Sequence, residues 1–475
     1  MSKDFPATLE EALPPKARVA EARKMLEKRG VKYVFCCWID LLGVPKTKPV
    51  PLEEWEALCQ GRGPQFAVHS VSMVPDAGPA DPDQIMAPDL DSLVVCPWDN
   101  EIAWVIADLY EGDHKPYTLC PRTALRRQIK KAKEAGYKFF QGFEPEVIIL
   151  KLLDDGTYAK AFDDQPPEGR GWRGVRQAYG YDAEFSADAM PFLGEMIDMI
   201  NGLGWKLKDV VCEGAYSQFE FDFGFTDALG NADRFVFFRH MVKEVAKTHG
   251  LVATMMPKPT TGDWRSGAHI NTSVQSVRQA GKNLLEGTRG GWSPLAYNMV
   301  AGLIKHGASI CAITLSTVNS YKGTVDRVPG FEGGTVTWAP THITFGTNNR
   351  SAMYRFPQSR HAIENRAVDL TTNMYLASAM HIAAALEGIA KKMKAPAPTE
   401  ESLYDADPEK LRKAGVERIP TTLIEAVKAL VADPLATEVL GPRILNGYVR
   451  YKQDEWRRFY STVTEWERRE YLRFY

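Results

Sequence analysis

Lys138-Phe139-Phe140-Gln141-Gly142-Phe143-Glu144-Pro145-Glu146-Val147-Ile148-Ile149-Leu150 is the stretch on which the reading of this chain turns. Its aromatic and β-branched flanks predict a strand, and the period of two along a strand aims Glu144 and Glu146 at one face of a sheet. A second stretch, Glu213-Gly214-Ala215-Tyr216-Ser217-Gln218-Phe219-Glu220, has a similar setting between Val210-Val211-Cys212 and Phe221-Asp222-Phe223. Carboxylates gathered in apolar surroundings repel one another and are costly to desolvate. Such a group calls for cations, and hard divalent metals suit it best.

Composition bounds the class. With 475 residues, 44% hydrophobic and 25% charged, the chain can bury a large core and predicts one large domain with a smaller one attached. A net charge of -2 gives no bulk attraction to nucleic acid or to an anionic membrane surface, so neither is expected as a partner. The cysteines (Cys36, Cys37, Cys59, Cys96, Cys120, Cys212 and Cys311) are odd in number and form no C-x-x-C pair. That usage predicts reduced thiols in a cytoplasm and no zinc site. The N-terminus lacks an apolar signal core, and the best hydrophobic run, 297–315, is broken by Lys305 and His306. A protein neither exported nor membrane-spanning is expected.

Along the chain, periodicity predicts a helix over 17–29, a strand over 32–39, a turn at Asp40-Leu41-Leu42-Gly43 and short strands over 92–96 and 102–107. These make a small α+β unit ending near residue 114. Beyond it, a helix over 123–135 is followed by carboxylate-bearing strands alternating with helices over 190–203, 235–249, 294–306 and 373–393. A Pro-rich loop spans 395–401, and helices are expected over 422–430 and 442–475. The class is α+β, a sheet with helices packed on it.

Gly169-Arg170-Gly171-Trp172-Arg173-Gly174 fits G-x-G-x-x-G but follows a polar, proline-containing run instead of a strand, so it is read as a loop and no dinucleotide site is assigned. No P-loop motif occurs. A third chemical segment runs from Met256-Pro257-Lys258-Pro259 through Trp264-Arg265-Ser266-Gly267-Ala268-His269 to Asn271 and Ser273. A fourth, Asn349-Arg350-Ser351-Ala352-Met353-Tyr354-Arg355-Phe356-Pro357, spaces two arginines five apart, and a fifth is Glu364-Asn365-Arg366. Singly, these read as a structural histidine, a solvated pair and a salt bridge.

Together and in this order, the segments resemble the glutamine synthetase family along almost the whole chain. Asn319-Ser320-Tyr321-Lys322, Val328-Pro329-Gly330-Phe331-Glu332 and Asn373-Met374-Tyr375-Leu376 add to the match. The resemblance implies a β-grasp-like N-terminal domain over 1–114 and a catalytic domain over 115–475. It also implies two sites for Mg²⁺ or Mn²⁺, one from Glu146, Glu213 and Glu220 and the other from Glu144, His269 and Glu364.

ATP would then activate the γ-carboxylate of L-glutamate as γ-glutamyl phosphate, which an amine attacks. Arg350 and Arg355 are similar to phosphate-binding arginines, Arg366 and Arg327 to those that hold the substrate α-carboxylate, and Ser273 and Asn271 to nucleotide contacts, with Arg355 shared. Glu332 resembles a flap carboxylate that accepts the proton of the amine. Asp40 resembles an aspartate that reaches a neighbouring subunit's site, which implies a ring-shaped homo-oligomer, a hexamer or dodecamer. Tyr181, with Tyr179 as the competing alignment, resembles an ammonium-site tyrosine. Tyr404 lies where some relatives are modified and is read as an ordinary loop tyrosine.

Departures gather at the substrate end. Trp264-Arg265 stands where the family has Asn-Gly, placing an indole and a cation beside Gly267 where backbone contacts to substrate are expected, and Cys212-Glu213 replaces His-Glu. Trp264, Phe331, Tyr181 and Met374 are possible pocket walls, Met374 being read first as core. Unchanged metal positions beside altered pocket positions imply an acceptor other than ammonia, an alkylamine or aniline. The alternatives are glutamine synthetase proper and a non-catalytic structural member of the family.

Overall fold

The computed structural model describes residues 5–67, 69–72, 80–162, 180–261, 263–328 and 335–474. The strand around the acidic pair runs Tyr137–Leu152 and is the axis of a twelve-stranded, largely antiparallel sheet. Ala268–Ser276 pairs with its residues 137–145, setting His269 opposite Glu144. Gln218–Phe223 pairs with it further along, setting Glu220 opposite Glu146, and Leu207–Cys212 lies outside that strand. On the histidine side the sheet continues through Ile363–Asn365, Ala352–Phe356, His342–Thr347 and Glu417–Arg418. Glu364 stands opposite both Asn271 and Arg355. Because facing residues on neighbouring strands share a face, these registers carry groups from distant segments to one patch.

Helices cover the sheet. Ala228–Thr248 buries Phe235, Phe238, Met241, Val242 and Val245 at helical spacing. Met374–Ala390 is buried almost all round, as a helix at the centre of a layer must be. It lies so close to Pro294–Lys305 that a Cβ on Gly302 would stand 2.1 Å from the Ala384 carbonyl oxygen. The helices expected from 190 and 235 begin earlier, at Ala183 and Ala228. Asp182 and Asp227 cap them by accepting from first-turn N–H groups, and Pro191 is tolerated inside the first. The helical stretch Pro434–Tyr460 is broken at Gly441, so a helix does start at Pro442 as expected, but it ends at Tyr460 and a separate helix, Glu465–Tyr471, is opened by a Thr464/Glu467 capping box.

The N-terminal sheet has four strands in the order Pro45–Pro51, Tyr33–Ile39, Ile102–Tyr110, Ile85–Val95, with the central pair parallel. That order, with helix Lys16–Arg29 beside it, is the β-grasp-like layout. The strand expected over 92–96 is the end of Ile85–Val95. Buried Arg122 ties this sheet to helix Ala228–Thr248, reaching Asp108 at 2.6 Å, Asp89 at 2.7 Å and Asp233 at 2.9 Å. Burial would raise the Asp89 carboxyl, but Arg122 and Arg126 outweigh it and hold it at about 2. Among the described residues no helix is long and apolar enough to cross a membrane.

Candidate active site

A cavity of 670 Å³ opens over the patch where the registers converge. Glu144, His269 and Glu364 offer ligand atoms that lie within 4.8 Å of one another, as do Glu146, Glu220 and His269, and also Glu144, Glu220 and Asp222. Glu213 completes the acidic wall from the turn after Leu207–Cys212, where its N–H donates to the Gln218 carbonyl. Gly267 leaves no room for a side chain, since a Cβ there would stand 2.8 Å from both Glu146 Oε1 and His269 Nε2. Its N–H donates to Glu146 Oε2 at 2.6 Å.

The electrostatics divide this patch in two. Burial pushes Glu146 up to about 8, with repulsion from Glu213 adding to it, and pushes Glu220 well above the ordinary range, with Glu144, Glu146 and Glu213 adding. Asp222 is raised to about 7 by burial and by Glu144 and Asp209. Glu364 is also fully buried, yet Arg366, His269, Arg355 and Arg360 overcome the burial and hold it at about 2. One half is therefore short of positive charge while the other is matched by guanidinium groups. Burial, then Arg366, lowers His269 to about 4, so the ring is neutral at pH 7. Its Nδ1 is buried without a hydrogen-bond partner, 3.4 Å from Glu144 Oε2 and 3.7 Å from Glu364 Oε1. An orphaned imidazole nitrogen facing carboxylate oxygens, beside acids with no counter-charge, is a donor set that fits divalent cations.

The other expected residues divide as follows. Arg355 Nη1 donates to Glu364 Oε2 at 2.8 Å and Arg366 Nη1 to Glu364 Oε1 at 2.6 Å. Arg366 also holds the Arg350 and Trp338 carbonyls at 3.0 and 3.1 Å, while the Arg350 side chain is exposed in the cavity wall. Asn271 donates to Glu144 Oε1 at 2.9 Å, and Ser273 lies on the same strand, so 269, 271 and 273 share a face. Trp264 and Tyr181 line the cavity, whereas Met374 is fully buried core. Glu332, Phe331 and Tyr179 lie outside the described residues; Arg327 opens a two-residue strand paired with Thr335–Val336. Tyr404 is half-buried, its hydroxyl donating to the Ala339 carbonyl at 2.7 Å.

Asp40 is completely buried in its own chain: its Oδ1 accepts from the Leu42 and Val44 N–H groups at 2.9 and 2.8 Å, and its Oδ2 faces Lys46 at 3.4 Å. Arg239 and Asn373 clamp the turn by donating to the carbonyls of Gly43, Asp40 and Leu41. One expectation is corrected: Arg265 does not place a cation in the substrate space. Its guanidinium turns into the core and donates to the Arg366 and Val368 carbonyls at 3.1 and 2.9 Å.

Sequence reasoning missed Asp222, Arg360 and Trp338. The first had a signal, because Asp222 stands two residues after Glu220 on a strand. Arg360 had none: it comes from an irregular segment and reaches Glu144 Oε1 and Asn271 Oδ1, each at 2.7 Å.

With this geometry in place, comparison with known proteins is decisive. Residues 118–471 match the glutamine synthetase catalytic domain. The chain belongs to the glutamine synthetase family. It is 33% identical to the glutamine synthetase of Methanocaldococcus jannaschii over 465 residues, 96% of this chain and 98% of that protein. It is 32% identical to the glutamate–methylamine ligase of Methyloversatilis universalis over 462 residues, 96% of this chain and 99% of that one. A solved ADP complex of GmaS superposes with a TM-score of 0.84 at 32% identity, covering 95% of this chain and 99% of that structure. Ligand-free GmaS superposes at 0.82, with 31% identity and the same coverages. This is an enzyme family of ATP-dependent ligases acting on glutamate and using divalent metals.

Proposed function

We propose that this chain is a glutamate–amine ligase. It activates the γ-carboxylate of L-glutamate with ATP as γ-glutamyl phosphate and transfers the glutamyl group to a primary amine, releasing ADP and phosphate. The observation that carries the reading is the convergence of Glu144, Glu146, Glu213, Glu220, Glu364 and His269 on one cavity. Glu146, Glu213 and Glu220 would hold one divalent ion, Mg²⁺ or Mn²⁺, and Glu144, His269 and Glu364 the second. When bound, the ions supply neutralisation of nucleotide phosphate charge and a fixed alignment of the reacting groups.

The residues of the chain do the rest. Arg350 and Arg355 flank the cavity and neutralise charge that develops on the phosphoryl oxygens. Arg366 keeps donor capacity beyond its three contacts, since a guanidinium carries five N–H groups. It and Arg327 are assigned to the α-carboxylate of glutamate, with the Gly267 turn beside them. Asn271 and Ser273 are assigned to the nucleotide. Glu332 is assigned the proton that the amine must lose. Residues 1–114 form the smaller domain and 115–475 the catalytic one in this reading.

Glutamine synthetase proper, using ammonia, is the rival, because a relative of that name is as similar as the methylamine ligase. Phosphate release with glutamate and ATP, compared between ammonium and a series of primary amines, separates them. Ammonium giving the highest kcat/KM would establish the rival. Glu220→Gln and His269→Ala should each abolish turnover, and full activity in either would overturn the metal assignment.

A further inference from the structure

The cavity carries an aromatic rim that the ligase reading does not use. The Trp264 indole packs closely against Gly214: a Cβ at 214 would stand 1.8 Å from Trp264 Cζ3 and 2.0 Å from Cε3. The turn presenting it is braced by the Lys258 ammonium on the Asp263 carbonyl, by Lys160 on the Asp263 carboxylate at 3.1 Å, and by the Trp264 N–H on the same carboxylate at 2.9 Å. On the other side of Glu213, Tyr181 donates its N–H to the Cys212 carbonyl at 2.7 Å and is 78% exposed. Trp338, also in the cavity wall, is 49% exposed.

Tyr181 and Trp338 both adopt left-handed backbone, with φ of 67° and 58°. That conformation is unfavourable for a bulky side chain and persists only where the surroundings over-determine it. At Trp338 they do. Arg366 holds its carbonyl, Thr337 Oγ1 ties the preceding residue to the Val325 carbonyl and accepts from the Ala339 N–H, and Tyr404 holds the Ala339 carbonyl. The half-exposed Trp338 in the cavity wall, held on this strained backbone, offers an apolar ring on which a planar ligand can stack.

We propose that the acceptor is a primary amine carried on an aromatic ring, an arylamine, and that Trp264 and Trp338 form the slot for that ring. The inference rests on the ligase reading above and names its acceptor. Charge points the same way. Ammonia and alkylamines are protonated at neutral pH and gain from a carboxylate that receives the cation, which neither Trp264 nor Trp338 supplies. The nitrogen of an arylamine is unprotonated at neutral pH and needs apolar surface for its ring instead. The step balances: the amine nitrogen bonds to the γ-carbonyl carbon, the carbon–oxygen bond to phosphate breaks, phosphate leaves with the bonding pair, and one proton leaves the nitrogen.

The test uses the full chain with Mg²⁺, ATP and glutamate, and measures phosphate release with aniline, isopropylamine, methylamine and ammonium. Aniline is expected to lead in kcat/KM by roughly tenfold or more. In Trp338→Ala the KM for aniline should rise by roughly tenfold with a smaller change in kcat, and Trp338→Phe should restore most of it. Methylamine or ammonium outperforming aniline in the wild-type enzyme overturns the arylamine class and leaves the ligase reading standing. An equal rise in KM for every amine and for glutamate in Trp338→Ala overturns the slot. No phosphate release with any amine, and no hydroxamate formed from hydroxylamine, overturns the ligase reading itself.

Discussion

The charge imbalance across the acidic patch makes the metal dependence of stability a function of pH. Without metal, burial raises Glu146 from 4.5 to about 8 and Asp222 from 3.8 to about 7. A carboxyl whose folded pKa lies above its unfolded value binds more protons when folded, so metal-free protein loses stability as pH rises from the unfolded value through the folded one. At about 1.4 kcal/mol per pH unit, the Glu146 displacement corresponds to about 5 kcal/mol lost between roughly pH 4.5 and 8. Its neighbours titrate jointly with it, so about 5 kcal/mol is taken for the group instead of a larger sum. An unfolding entropy of about 2 cal/mol/K per residue makes 1 kcal/mol worth about 1 °C in a chain of 475 residues. Divalent ions replace the missing counter-charge. The rise in Tm on adding Mn²⁺ to EDTA-treated protein should therefore be small near about pH 5 and reach about 5 °C near about pH 8. Taking the difference with and without metal at each pH removes groups common to both states. Glu220→Gln should raise the metal-free Tm near pH 8 by relieving repulsion, and shrink the metal-induced gain. A gain that does not change with pH, or a Glu220→Gln protein less stable than wild type without metal near pH 8, would refute the reasoning.

Gly214→Ala puts a Cβ 1.8 Å from the Trp264 ring, where about 3.5–4 Å is needed, so the indole must shift by about 2 Å; kcat/KM should fall about 100-fold with Tm changed by only a few degrees. Glu364→Gln leaves Arg355 and Arg366 without their carboxylate in a fully buried setting and should cost about 3–5 kcal/mol, seen as a Tm lower by about 3–5 °C together with lost turnover. His306 is bonded by Asp433 and Glu387, and although burial pulls its pKa down, those partners raise it overall. A raised histidine stabilises fully below its unfolded pKa and loses that contribution as pH rises through the folded one, so His306→Ala should cost about 1–3 kcal/mol near pH 6 and less near pH 9 in paired denaturant titrations.

Much of the acidic patch was legible because side-chain alternation along a strand is a local property. Glu144 and Glu146 share a face by alternation alone, and the quoted segments supplied five carboxylates and His269 in chain order. What alternation does not contain is which strand lies beside which: that His269 faces Glu144 while Glu220 faces Glu146 follows from long-range pairing. Helix starts were misplaced where Asp182 and Asp227 cap segments whose first turns carry little apolar patterning. Arg360 and Trp338 sit in irregular segments, where spacing says nothing about direction. That Asp40 caps its own turn was not legible, because a carboxylate in a glycine turn reads the same whether it faces solvent or caps its own N–H groups.

Arg265 shows how a departure from the family pattern acts through the backbone instead of through the pocket. Read as a side chain, an arginine two residues from Gly267 would add positive charge where glutamate binds and oppose the deprotonation of an amine less than the indole beside it reshapes the space. Folded, the guanidinium is 7% exposed and bonds the carbonyls on either side of Ala367, immediately after Arg366. Gly323 makes room for its stem, since a Cβ there would stand 2.5 Å from Arg265 Cβ. The added charge is thus spent on bracing the segment that carries Arg366, and Arg366 in turn holds the Trp338 carbonyl. Removing the brace should reach the aromatic rim through Arg366, so Arg265→Met should raise the KM values for glutamate and for the amine together, whereas a pocket charge would have moved the glutamate KM alone.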